Sequence, residues 1–199
     1  MQAILASPGR TLVLAGAVSL AILIGWLAAE GADGIGLLSF LLRFAHVMGA
    51  VIWLGMIWFV NFIQLDALAM ADKHGRGVLM KSIVPRVANT FRHASHLTVA
   101  SGLMLLFTSG YLLGSLVYAT EVHTPPLRNA LLWSGVLGGG AMWVIVNMMI
   151  WPSLKIILGH TADAGAKAAA RARVAMLARI NLALSVPVTF VMVAAAHLY

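Results

Sequence analysis

No cysteine occurs among the 199 residues, and that absence removes several chemistries at once. It excludes disulfides, thiolate-bound zinc, iron–sulfur clusters and haem attached covalently through a C-x-x-C-H motif. Charge is scarce as well. Asp, Glu, Lys and Arg make up 10% of the chain against 61% hydrophobic residues, and the mean hydropathy is +0.95. A soluble core of this size needs more polar surface, so the chain reads as an integral membrane protein. Acids are the scarcer sign, six against thirteen Lys and Arg. The net charge of +7 does not signal nucleic acid here. The basic residues gather in two segments, the pattern that orients a chain in a membrane.

What the sequence has instead is long apolar runs. They predict an all-α bundle of five transmembrane helices at about 11–29, 37–64, 93–118, 128–158 and 180–199, in a single transmembrane domain over 1–199. The first run is too long, and lacks the small-residue cleavage site, to be a removed signal peptide. After the second helix a loop from Asp66 to Arg92 carries Lys73, Arg76, Lys81, Arg86 and Arg92, with Pro85 interrupting it. Parts of that loop suit a basic amphipathic segment lying on the membrane. A second basic segment holds Lys167, Arg171, Arg173 and Arg179, and its alanine content favours helix. The fourth run exceeds a bilayer's thickness, so it is expected to tilt or to break near Gly138-Gly139-Gly140 or Pro152. Of the thirteen Lys and Arg, eleven fall on one side of this arrangement and only Arg43 and Arg128 on the other. That asymmetry places the N-terminus in the cytoplasm and the C-terminus outside.

The stretch from Arg43 to Gln64, RFAHVMGAVIWLGMIWFVNFIQ, is nearly as apolar as a bilayer core yet holds His46. An ionisable residue at such depth is a functional candidate. Arg43 lies one turn earlier on the same face. The pair suits a b-type haem, imidazole for the iron and guanidinium for a propionate, with Trp53 shaping the pocket. A second imidazole must lie at similar depth. His197 differs from His46 by about 5 Å along the membrane normal and His96 by roughly 15–20 Å. His197 is therefore the preferred partner, with His123 or His96 as substitutes. The plainer reading of His46 is a hydrogen bond to a neighbouring helix, and of His197 a solvated interfacial residue. Copper(I) would draw on Met48, Met56 and His46, but no Met-x-Met or His-x-His cluster gathers them. The helix 4 glycines Gly135, Gly138, Gly139 and Gly140 mean close approach by a helix or by a flat macrocycle.

Four segments resemble a known family. FVNFIQ at 59–64 after IWLGMIW, RHASHLTVASG at 92–102, NMMIWPSLKIILG at 147–159 and ARINLALSVP at 178–187 resemble, in order, motifs of the urate oxidase N-terminal membrane domain family. Arg92, Thr98 and Gly102 match its arginine–threonine–glycine segment. The H-x₆-WLG opening of helix 2 is also similar to the copper-resistance D family and to the haem-binding protoporphyrinogen oxidase of bacteria. The resemblance implies a redox-associated protein of a bacterial inner membrane, its C-terminus periplasmic. In the namesake proteins the membrane domain is joined to a cytochrome c domain. This sequence has no C-x-x-C-H, so urate oxidation is not carried over with the motifs.

The same motifs place Asn61, Gln64, Arg92, Asn147, Arg179 and Asn181 toward the inner half, beside His93 and His96. They form either an interhelical hydrogen-bond network or a quinone or small polar substrate site. Three functions follow as expectations. The first is a haem b electron-transfer protein, or a cytochrome-b-like oxidoreductase subunit, with a cytochrome c or other redox partner. The second is a membrane oxidase or dehydrogenase acting on urate, a porphyrinogen or quinol. The third is a cofactor-free anchor or assembly subunit. The lipid bilayer is a partner in all three, a second copy of the chain is open, and nucleic acid is a partner in none.

Overall fold

The computed structural model describes residues 5–31, 33–111 and 126–198. They form five helices, and no strand occurs among the described residues. Helix α1 is Pro8–Glu30. Helix α2 runs from Gly34–Phe59 through a π-helical turn, Val60–Gln64, into Leu65–Met70. Helix α3 is Lys73–Val78, a π-turn Leu79–Ile83, then Val84–Thr108. Helix α4 is Pro126–Val144, a π-turn Ile145–Ile150, then Trp151–Leu158. Helix α5 is Ala164–His197. Pro8–Glu30, Gly34–Met70, Leu127–Leu158 and Ala164–His197 are each long and apolar enough to cross a membrane.

The chain divides into two compact units, Met1–Phe40 and Leu41–Tyr199. In the first, Pro8 opens α1, where a missing N–H costs nothing. Gly31 closes it at φ 70°, a left-handed turn that glycine adopts without strain. The indole of Trp26 and the ring of Phe40 lie tilted with centroids 6.0 Å apart.

The basic segment expected as a loop at 66–92 is largely helical, and the alanine-rich one is helical as expected. Lys73 and Ala164 each follow an aspartate that caps a helix. Asp72 accepts from the Gly75 N–H at 2.7 Å and Asp163 from the Ala166 N–H at 2.6 Å. Each carboxylate satisfies one orphan donor and faces the positive end of the helix dipole. The alanine-rich segment is therefore continuous with the fifth run rather than separate from it. Asp163→Ala is expected to cost about 1 kcal/mol through loss of this cap. Hydrogen exchange of the first turn of α5 should quicken, with later turns unchanged.

Proline sets two of the π-turns. Pro85 and Pro152 lack an N–H, and each ring crowds the carbonyl four residues back. Those carbonyls belong to Lys81 and Met148, inside the π-turns 79–83 and 145–150. The wider turn takes up the crowding. Helix α4 is thus adjusted just before Pro152 and stays helical through Gly138–Gly140. The turn at 60–64 has no proline. There the Asn61 amide donates to the Ile57 carbonyl at 2.9 Å, a side chain inserted into the helical ladder.

In the second unit the core joins Trp53 and Ile57 of α2, Phe91 and Ala94 of α3, and Met142 and Val146 of α4. Leu182, Leu184 and Val188 of α5 pack on it. Gly135 and Gly138 admit α5 directly. A Cβ at Gly138 would stand 2.5 Å from Val188 and one at Gly135 3.0 Å from Met192. Helix packing accounts for those two glycines, while Gly139 and Gly140 meet nothing within 4 Å.

Candidate functional site

His46 sits on the face of α2 that meets α3. Its Nδ1 lies 2.8 Å from the Thr98 carbonyl oxygen. A carbonyl only accepts, so Nδ1 carries a proton, and in the neutral form of the ring the lone pair then lies on Nε2. The ring occupies a notch made by Gly102, where a Cβ would fall 2.8 Å from Cε1 and Nδ1. One turn along α2, a Cβ at Gly49 would stand 2.7 Å from Thr98 Oγ1 and 3.1 Å from its backbone nitrogen. Two glycines, one on each helix, thus let the backbones close until the imidazole reaches a main-chain carbonyl. Arg43 is exposed, one turn from His46. Trp53, two turns away on the same face, is buried with its indole N–H unpartnered.

His197 lies exposed in the last turn of α5. The same half of α5 packs on α4, through Gly135 and Gly138 and through Arg128, whose Nε donates to the Ala195 carbonyl at 3.1 Å. His46 is seated on α3 instead. His123 lies outside the described residues. Among the described residues no group of three or more His, Asp or Glu side chains is arranged to hold a bare metal ion.

Comparison with protein-family models, curated proteins and solved structures returned no match.

Nearer the end where Arg92 and Arg179 lie, the expected polar set separates into two groups. The first joins α3 to α4. Trp143 Nε1 donates to His96 Nδ1 at 3.1 Å, and the two rings meet edge-on with centroids 5.6 Å apart. Indole nitrogen can only donate, so Nδ1 accepts and the neutral His96 ring carries its proton on Nε2. This is the tautomer opposite to that of His46. His96 offers a donor where His46 offers a lone pair. Asn147 donates to Ser95 Oγ at 3.1 Å and to the Trp143 carbonyl at 3.0 Å. The Arg92 guanidinium lies over the Trp151 ring, 4.7 Å from its centroid.

The second group joins α2 to α5. Asn61 donates to the Ala178 carbonyl at 3.2 Å. Beside it a cavity of about 50 Å³ is lined by apolar side chains together with Asn61, Gln64 and Asn181. Asn181 is 1% exposed, and neither atom of its carboxamide has a partner. Gln64 Oε1 is buried and unpartnered too. His93 and Arg179 belong to neither group. His93 is exposed, with Nδ1 2.8 Å from its own helix's Asn89 carbonyl, and Arg179 is exposed on α5.

Sequence reasoning joined unnumbered glycines near Trp53 to the pocket without singling out Gly49, and it missed Ser95, Trp143 and Trp151 as parts of these sites. The spacing of Gly49, three residues after His46, was the one available signal for close approach.

Proposed function

We propose that the chain is a five-span protein of a bacterial inner membrane that binds a b-type haem through His46 and serves in electron transfer. The N-terminus is cytoplasmic on this reading, the C-terminus periplasmic, and α3 is the fifth span. One observation carries the haem assignment, the bond from His46 Nδ1–H to the Thr98 carbonyl. Metal-ligating histidines almost always donate their second ring N–H in this way, which fixes the tautomer and orients the free nitrogen. The absence of cysteine fits non-covalent attachment, and Arg43 supplies a guanidinium for a propionate one turn away. A haem held there would carry single electrons, and the protein's part is to ligate, orient and shield it. His197 is the proposed second residue that would ligate such a haem. The motif resemblance supports a redox setting and a cytochrome c-like partner, and it keeps urate, a porphyrinogen or quinol as alternative substrates.

A second reading rests on the same bond. In it the hydrogen bond is the whole of His46's role, holding α2 to α3 in a cofactor-free anchor. The reduced-minus-oxidised visible spectrum of the purified protein separates the two. A sharp α-band that His46→Ala abolishes is the expected result. His197→Ala should convert a six-coordinate spectrum to a five-coordinate one. Colourless protein after expression with ample haem would overturn the haem reading and leave the anchor.

A further inference from the structure

The α3–α4 face holds more hydrogen-bonding capacity than its own residues use. Because Trp143 donates to His96 Nδ1, the imidazole of this half-buried residue presents Nε2–H as a donor. One turn away Arg92 is stacked on Trp151, and its Nε is buried without an acceptor. Between them Asn147 spends its amide on Ser95 and Trp143, while its Oδ1 is buried without a donor. Two donors and one acceptor thus share a short stretch with two indole rings. A hydrocarbon medium supplies no water to answer them.

The chemistry of an answering molecule follows. Two donors, one of them cationic, suit a compound with carbonyl oxygens, and the indoles suit a flat ring. The flanking Leu97 and Met148 are exposed, which favours entry from the bilayer over entry from water. The cavity at Asn181, about 50 Å³, is too small for such a ring, since pockets for molecules of that size run from about 300 Å³ upward.

We propose that the α3–α4 face binds the head group of a membrane quinone, with His96 Nε2–H and Arg92 as its carbonyl contacts and Trp143 holding the His96 tautomer. This site stands independently of the haem reading.

The test uses the full chain in lipid nanodiscs with a short-tailed azido-ubiquinone, illuminated and then mapped by mass spectrometry. Label is expected in peptides containing 92–97 or 143–151, and excess unmodified short-tailed ubiquinone should suppress it. His96→Ala should lower the competable label about fivefold, the factor that loss of one hydrogen bond brings. His96→Gln, which keeps an N–H donor, should restore most of it, and Gly55→Ala, whose Cβ would meet nothing within 4 Å, should label as the wild type does. Label that competitor does not suppress, label centred on the Asn181 cavity, or full labelling of a folded His96→Ala would each overturn the proposal. Where His96→Ala does not fold, the wild-type map and its competition decide.

Discussion

Gly49→Ala is expected to destabilise the protein and to disturb His46, although alanine is the better helix former. Helix propensity alone would favour the change by about 1 kcal/mol. Against it stands the new Cβ, 2.7 Å from Thr98 Oγ1 and 3.1 Å from the Thr98 backbone nitrogen. Thr98 Oγ1 is itself bonded to the Ala94 carbonyl at 2.8 Å, and a backbone atom cannot rotate aside. Overpacking of this kind costs about 1–3 kcal/mol. The helices must part, and the 2.8 Å bond from His46 to Thr98 is the first to break. Thermal unfolding in detergent should fall by several degrees, and any haem α-band should weaken and broaden. Gly55→Ala on the same helix is the control, because its Cβ would meet nothing within 4 Å. That variant should be neutral or slightly stabilised. Equal behaviour of the two variants would show that the α2–α3 approach does not depend on Gly49.

Asn181→Leu is expected to stabilise. A buried amide with no partner costs about 1–3 kcal/mol, whereas an apolar side chain of similar volume carries no such cost. Asn181 is 1% exposed with both amide atoms unanswered, beside a cavity whose walls are mostly apolar. Thermal unfolding should shift upward by a few degrees. The neighbouring Asn61→Leu should act in the opposite direction, since it removes the bonds to the Ile57 and Ala178 carbonyls. A destabilised Asn181→Leu would mean that its amide is answered in the native protein. A cavity of about 50 Å³ has room for ordered water.

The all-helical fold was legible in the sequence because a long apolar run that water does not reach must bond its backbone within itself. The five helices followed from residue type alone, and of the two adjustment points expected in the fourth, Gly138–Gly140 or Pro152, the structure takes the second. Boundaries at the basic segments were less legible. Charge density suggested a loop at 66–92, where Asp72 starts a helix instead, and a helical segment separate from the last run at 167–179, which Asp163 caps as the start of one continuous helix. A cap is one side chain bonding one N–H, a signal that segment composition averages away.

The candidate residues were legible as types and not as roles. His46, His96, Asn61 and Asn181 stand out in any apolar sequence, and nothing local distinguishes one histidine from the other. Their tautomers are opposite because His46 meets a carbonyl, which only accepts, and His96 meets an indole, which only donates. Likewise one asparagine finds the Ala178 carbonyl and the other finds no partner. Sequence by itself determined that the chain is helical, apolar, cysteine-free and sparing with ionisable groups. Tertiary structure alone decided which of those groups are answered, because a hydrogen-bond partner on another helix is set by where two backbones cross.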